Sequence, residues 1–238
     1  MLRCCVFSLL LCASPVFAGH PGSVDLNPRQ ATPGLRLELS ELLDNTTTNK
    51  RYRLRAVGFP REIIFSLFTK NFTASFSEVI SDLRVNEVGN MVASKIGHPQ
   101  RLEDIVLDPG PYPRGAAWDL AIASADRSVA SFTRIIPYPI IARDKSCLLS
   151  LELLSPRGDR FLVTGTGFAP GVDLLSELAI EGRHEKKRHR VSVDGQLGPY
   201  VISHAAIGRE RAARYSVKSS SCEVVIEYEW GEHALLRR

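Results

Sequence analysis

Past its first eighteen residues the chain has no run of eighteen consecutive apolar residues, which excludes an ordinary membrane-spanning helix from the remainder. The motifs that carry familiar chemistries are missing as well. There is no Gly-x-Ser-x-Gly elbow, no glycine loop closing on Gly-Lys-Ser/Thr and no His-Glu-x-x-His pair, so no ready-made serine hydrolase, phosphate loop or zinc peptidase site is present. Cysteine is scarce: of five in 238 residues, Cys4, Cys5 and Cys12 fall in the apolar leader. A strong excess of either charge is also missing, with 30 Lys and Arg against 26 Asp and Glu. What is there, 44% hydrophobic and 24% charged residues, is the composition of a globular protein rather than a disordered one.

The leader, "MLRCCVFSLLLCASPVFA", has one early arginine (Arg3), an apolar run from Cys4 to Ala13, and small residues at Val16 and Ala18 ahead of Gly19. This layout predicts a cleavable export signal over residues 1–18, cut after Ala18, and a secreted or periplasmic protein. Acylation at Cys12 is the alternative, weakened by Leu11 where a small residue is expected. Export leaves only Cys147 and Cys222, which are read as one disulfide. A reactive thiol would need a partner base, and "SSSCEVV" around Cys222 reads as a strand instead. Residues 19–34, "GHPGSVDLNPRQATPG", are rich in Gly and Pro and read as a flexible N-terminus.

Two copies of one pattern follow. "YRLRAVGFPRE" from Tyr52 matches "FLVTGTGFAPG" from Phe161: an aromatic, an alternating run, then glycine, phenylalanine and proline. Upstream lie the leucine-alternating runs "LRLELSELL" and "LLSLELLSP"; downstream lie the turns "VNEVGNMV" and "VSVDGQLG". Each half closes on alternating segments, "AWDLAIASADRSVASFTRI" and "ARYSVKSSSCEVVIEYEW". Correspondences kept in one order predict a duplicated module. The domains are therefore placed at 35–138 and 147–232, joined by a linker at 139–146, where Pro137 and Pro139 suit a stiff connector.

The dominant period within each half is two, and β-branched and aromatic residues fill many of the apolar positions, as in half-buried strands. The stretch from Phe72 to Val85 is ambiguous, because Phe72, Phe76, Val79, Ile80 and Leu83 also fall at helical spacing, and a short helix there is left open. The expected fold is all-β, two tandem antiparallel β-sandwich domains. "FLVTGTGFAPG", the following "VDG" turn and the closing "YEWG" resemble the immunoglobulin-like sandwiches of secreted bacterial proteins. They are more distantly similar to IPT/TIG modules and to the apoproteins of enediyne chromophores. The resemblance implies an immunoglobulin-like sandwich in each half and adhesion, spacer or sugar-binding roles.

The glycines of "TGTGFAPGVD" suggest a phosphate cradle, but no helix signal follows and Pro170 interrupts. Gly165 and Gly167 are read as thinning a strand where something packs closely, and Pro170 and Gly171 as the centre of a type II turn. The basic run "EGRHEKKRHRV" holds Arg183, His184, Lys186, Lys187, Arg188, His189 and Arg190 against Glu181 and Glu185. It is read as a loop or hairpin and as the favoured contact for an anionic ligand, with Arg209, Arg211 and Arg214 as an extension if the fold allows. His184 and His189 lack metal-ligand spacing, and their cationic neighbours disfavour a divalent ion, so no metal or cofactor is expected. His204 is the one histidine considered for a hydrolase triad. Glu103 and Asp104 are read as a strand entering an Asp-Pro-Gly turn. Trp118 and Trp230 are read as core rather than as sugar platforms. Asn45 and Asn71 are glycosylation acceptors only in a eukaryotic host.

These readings converge on an exported, non-enzymatic binding or structural protein of the cell envelope. Its expected partner is an anionic cell-surface polysaccharide or another envelope protein, not nucleic acid, since no stacking aromatics interleave the charges. A periplasmic hydrolase, or an accessory domain of an envelope enzyme, is the rival, and a spacer without ligand is the third reading.

Overall fold

A computed structural model describes residues 23–43, 50–72, 74–94, 98–204 and 212–236. The expected signal with its cut at Ala18, Cys12, Asn45, Arg209 and Arg211 lie outside these residues. Among the described residues the chain is all-β, and its helical pieces are three 3-10 turns of three to five residues. The N-terminal half contains β1 (Ser23–Val24), β2 (Arg36–Glu41), β3 (Tyr52–Val57), β4 (Phe65–Lys70), β5 (Phe76–Val85), β6 (Met91–Ala93), β7 (Gln100–Arg101), β8 (Val106–Leu107), β9 (Trp118–Ser124) and β10 (Ala130–Ile135). The C-terminal half contains β11 (Ile140–Asp144), β12 (Cys147–Leu153), β13 (Arg160–Thr166), β14 (Asp173–Ile180), β15 (Arg183–Arg190), β16 (Leu197–Ser203), β17 (Ala212–Lys218) and β18 (Glu223–Glu229).

Strands of the two halves pair separately. In the N-terminal half, β10-β9-β4-β5-β6-β7, with β1 added to β5, forms one sheet and β2-β3-β8 the other. In the C-terminal half the sheets are β15-β14-β17-β18 and β11-β12-β13-β16. The order β10-β9-β4-β5 thus has its counterpart in β18-β17-β14-β15, and β2-β3-β8 in β12-β13-β16. Alternation makes the core: β12 turns Leu149, Leu151 and Leu153 inward and Leu148, Ser150 and Glu152 outward. Each fully buried leucine of this kind contributes about 2 kcal/mol. Cys147 and Cys222 form a disulfide with Cα atoms 6.4 Å apart and a sequence separation of 75, joining β12 to the β17–β18 turn across the sandwich. Closing a loop of that length stabilises the fold by about 4 kcal/mol in the chain-entropy account.

The two aromatic-to-glycine segments occupy corresponding places. Tyr52 and Phe161 are buried at the heads of β3 and β13, and Phe59 and Phe168 are buried past their ends. Between them Gly58 and Gly167 take φ of 86° and 78°, each with a backbone carbonyl where a Cβ would stand, Gly34 O at 2.7 Å and Ser146 O at 1.9 Å. Only glycine meets both demands.

Three expectations are corrected. The helix left open at Phe72–Val85 is absent, because Phe76–Val85 is strand β5. Its register against β4 slips twice, so that Ile80 and Leu83, three apart, both reach the main core; bulges of this kind imitate helical spacing. The linker at 139–146 is largely strand β11, paired with β12 through a turn in which Lys145 has φ 53°. The two prolines end β10 without keeping the chain after them out of a sheet. The N-terminus is tied down from Ser23: β1 pairs with β5, Thr32 N donates to Ala130 O at 2.7 Å, and Leu26 joins Phe68 and Phe76 in a second apolar cluster.

The halves also touch. Leu153 N donates to Gly115 O at 2.9 Å, and Arg134 pairs with Glu152 at 2.8 Å. Ala116 and Leu153 form an isolated bridge, and one apolar core runs through both halves.

Candidate functional site

The basic run is a strand, not a loop. Ile180 and Arg183 close a two-residue turn in which Glu181 and Gly182 have φ of 49° and 73°, the backbone of a type I′ hairpin. From there β15 runs antiparallel to β14 and ends the sheet, with every residue exposed except the half-buried His189. Arg183, Lys186, Lys187, Arg188 and Arg190 against Glu185 give it a formal charge of +4, equal to that of the whole chain. The remaining sequence is therefore balanced, and the excess resides on one edge.

Alternation sorts the strand into two rows. Leu174, Ser176 and Leu178 of β14 face the core side and lie opposite His189, Lys187 and Glu185; the outer row is His184, Lys186, Arg188 and Arg190. Across β14, Ala179 separates His184 from Arg214 of β17, so Arg214 joins the same outer face. Glu177 sits within this face: His184 Nδ1 lies 2.6 Å and Lys186 Nζ 3.7 Å from its carboxylate. The His184 hydrogen bond and then the neighbouring cations hold that carboxyl below its ordinary range. Lys187 pairs with Glu185 at 2.8 Å. Arg183, Arg188 and Arg190 form no ion pair among the described residues, which leaves three guanidinium groups available for anions, while Arg214 acts electrostatically on Glu177.

Beneath the edge lies a polar cluster that sequence reading missed. Ser176 Oγ is 2.9 Å from His189 Nε2, His189 stacks on Tyr200 with centroids 4.1 Å apart, and the Tyr200 and Tyr215 hydroxyls are hydrogen bonded. Burial lowers the His189 pKa and raises those of both tyrosines, so the cluster is neutral at physiological pH. A serine hydroxyl beside an imidazole has the reach of a nucleophile and base, but Ser176 is 3% exposed. No local signal marks these four residues; only the inward parity of Tyr215 is readable.

His204 is buried, with Nε2 bonded to the Tyr228 hydroxyl at 2.8 Å among the rings of Phe161, Tyr228 and Trp230. Its pKa falls to about 4 because burial disfavours the charged ring. Near it, Leu178, Ile180, Arg183, Glu185 and Ser203 line a cleft of about 270 Å³ at the open side of the sandwich. Glu181 Oε1, which lines it, is buried with no hydrogen-bond partner among the described residues.

Trp118 and Trp230 are buried in the core. Gly165 packs under Phe168 and Leu149, and Pro170 leads into Gly171 at φ 71°, the backbone that the second central place of a type II turn requires. Glu103 and Asp104 share a 3-10 turn rather than a strand, and Asp108 Oδ1 accepts from Gly110 N at 2.6 Å to form the Asp-Pro-Gly turn. Among the described residues no three His, Cys, Asp or Glu side chains group as metal ligands. Comparison with known protein families and with curated proteins gave no match.

Proposed function

We propose that this chain is an exported, non-enzymatic binding protein of the cell envelope, built from two copies of an immunoglobulin-like sandwich, whose C-terminal copy holds an anionic partner on the β15 side. The observation that carries the reading is the gathering of His184, Lys186, Arg188 and Arg190 with Arg214 on one exposed sheet face. The duplication is supported by the shared strand order of the halves and by the matching Gly58 and Gly167 backbones. The immunoglobulin-like assignment is supported by a four-stranded sheet facing a sheet with a three-strand run, in the order that such sandwiches use. Export is supported by the leader of residues 1–18 and by the disulfide, which persists in oxidising compartments.

Anionic cell-surface polysaccharide and acidic envelope proteins share the required chemistry. Retention on immobilised heparin or polyglutamate tests it. The oxidised protein should elute at moderate salt, and the variant Lys186→Ser, Lys187→Ser, Arg188→Ser should elute much earlier, because exposed charges are screened and each lost cation weakens the attraction. Substituting Arg36 and Arg55 in the other half should change nothing. Unchanged retention of the triple variant would sink the reading.

A further inference from the structure

The geometry of β15 points to a narrower partner: we propose that its free edge takes up an extended acidic segment of another protein as an added antiparallel strand. This rests on the anionic-partner reading above and goes beyond it by naming what lies alongside the cations.

The hydrogen-bond phase of the sheet shows which backbone groups are open. The two-residue turn makes Ile180 and Arg183 a bonded pair, so the bonded pairs continue as Leu178 with Glu185, Ser176 with Lys187 and Leu174 with His189. The bond from Val191 N to Val172 O at 3.0 Å keeps that phase beyond the strand. It carries across the sheet as well: Glu223, whose N–H must then point away from β17, donates it to Asp144 Oδ2 at 2.8 Å. The N–H and C=O groups of His184, Lys186, Arg188 and Arg190 therefore face outward from the sheet edge.

The two edges of this sheet differ in kind. At β18 the outward Glu223 N–H is taken by that Asp144 contact, and β11 of the opposite sheet packs beside the strand. At β15 no strand among the described residues pairs on the outer side, and β16 belongs to the opposite sheet. Like charge keeps two copies of β15 from pairing with each other, the usual protection of an edge. It does not repel an acidic strand. Cations also occupy both rows, Arg183 and Lys187 on the core side as well as Lys186, Arg188 and Arg190 on the outer. A ligand lying flat on the sheet face would meet one row, whereas a strand alongside in the plane of the sheet meets both. Residues of an added strand opposite His184, Lys186, Arg188 and Arg190 project to the outer face at a repeat of about 6.8 Å, so they are the acidic ones. The intervening residues meet Glu185 among cations and the apolar cleft floor of Leu178 and Ile180, and they need not be charged.

The test uses the oxidised chain and a nine-residue peptide of alternating Thr and Glu, capped at both ends. Two N-methylated forms keep its charge, one methylated at the Glu positions and one at the intervening Thr positions. The parent peptide should bind, the Glu-methylated form should lose about tenfold or more in affinity, and the Thr-methylated form should stay within about twofold. Binding should also slow hydrogen exchange at the amides of His184, Lys186, Arg188 and Arg190. Equal affinity of the two methylated forms, or heparin binding without peptide binding, would overturn strand addition while leaving the cationic surface intact. Failure of peptide, polyglutamate and heparin together would remove both readings.

Discussion

Gly167 and Gly171 stand four residues apart with nearly equal backbones, φ 78° and 71°, and opposite surroundings. A Cβ on Gly167 would lie 1.9 Å from Ser146 O, while one on Gly171 meets nothing within 4 Å. Gly171→Ala should therefore cost only the left-handed backbone penalty, about 1 kcal/mol, and Gly167→Ala about 3 kcal/mol or more. Denaturant midpoints with equal m-values would check the pair; similar losses at both sites would contradict the packing argument. His204 supplies a second test at this scale. Its folded pKa, about 4, lies below the ordinary value of 6.5, so the unfolded chain takes up the proton first as pH falls. The stability held by its neutral ring is complete above about pH 6.5 and is lost progressively down to about pH 4, roughly 3 kcal/mol in all. Melting temperatures of wild type and His204→Phe between pH 7 and pH 4 should converge, since the variant lacks that proton uptake. Parallel curves would show that the imidazole is not the titrating group.

At the scale of strands, legibility followed the simplicity of the pairing. β12, β13 and β17 alternate without interruption, and their parity and burial are readable from the residues alone. β5 was ambiguous because two bulges shift its parity, and nothing local to Phe76–Val85 announces a bulge whose partner is β4. β11 was misread because prolines stop a strand at their own position only, and its pairing with β12 is a fact about the other strand. The cationic row of β15 was legible as composition; its status as an edge strand, which gives the row its geometry, depends on which strands pair with β14. The β14–β15 turn carries a prediction of its own. Glu181 holds φ 49° at a place that favours Asn, and Glu181→Asn should stabilise the protein by about 0.5–1 kcal/mol in thermal unfolding without moving β15. A destabilised variant would mean that the Glu181 side chain contributes more at the cleft than its backbone costs.

Over the whole molecule, the junction decides whether two modules behave as one. Modules joined by a free linker unfold independently, and interfaces inside a chain are ordinarily small and polar. Here Ala116 is fully buried against Leu153 across the junction, Gly115 O accepts a backbone hydrogen bond from Leu153 N there, and the apolar core is continuous. Unfolding of the oxidised protein should then be a single calorimetric transition. Ala116→Asp places a charge where no water reaches and should separate it into two, the half containing Cys147 and Cys222 melting later because its disulfide restricts the unfolded chain. Two transitions already in the wild type would show that the junction contacts do not couple the halves. A rigid junction also bears on the β15 edge: with the halves locked, the cationic strand keeps a fixed direction relative to the N-terminal sheet, and a partner strand seated on it is oriented as well as bound. In Ala116→Asp the acidic peptide should bind β15 with unchanged affinity, because the edge lies wholly within the C-terminal sandwich.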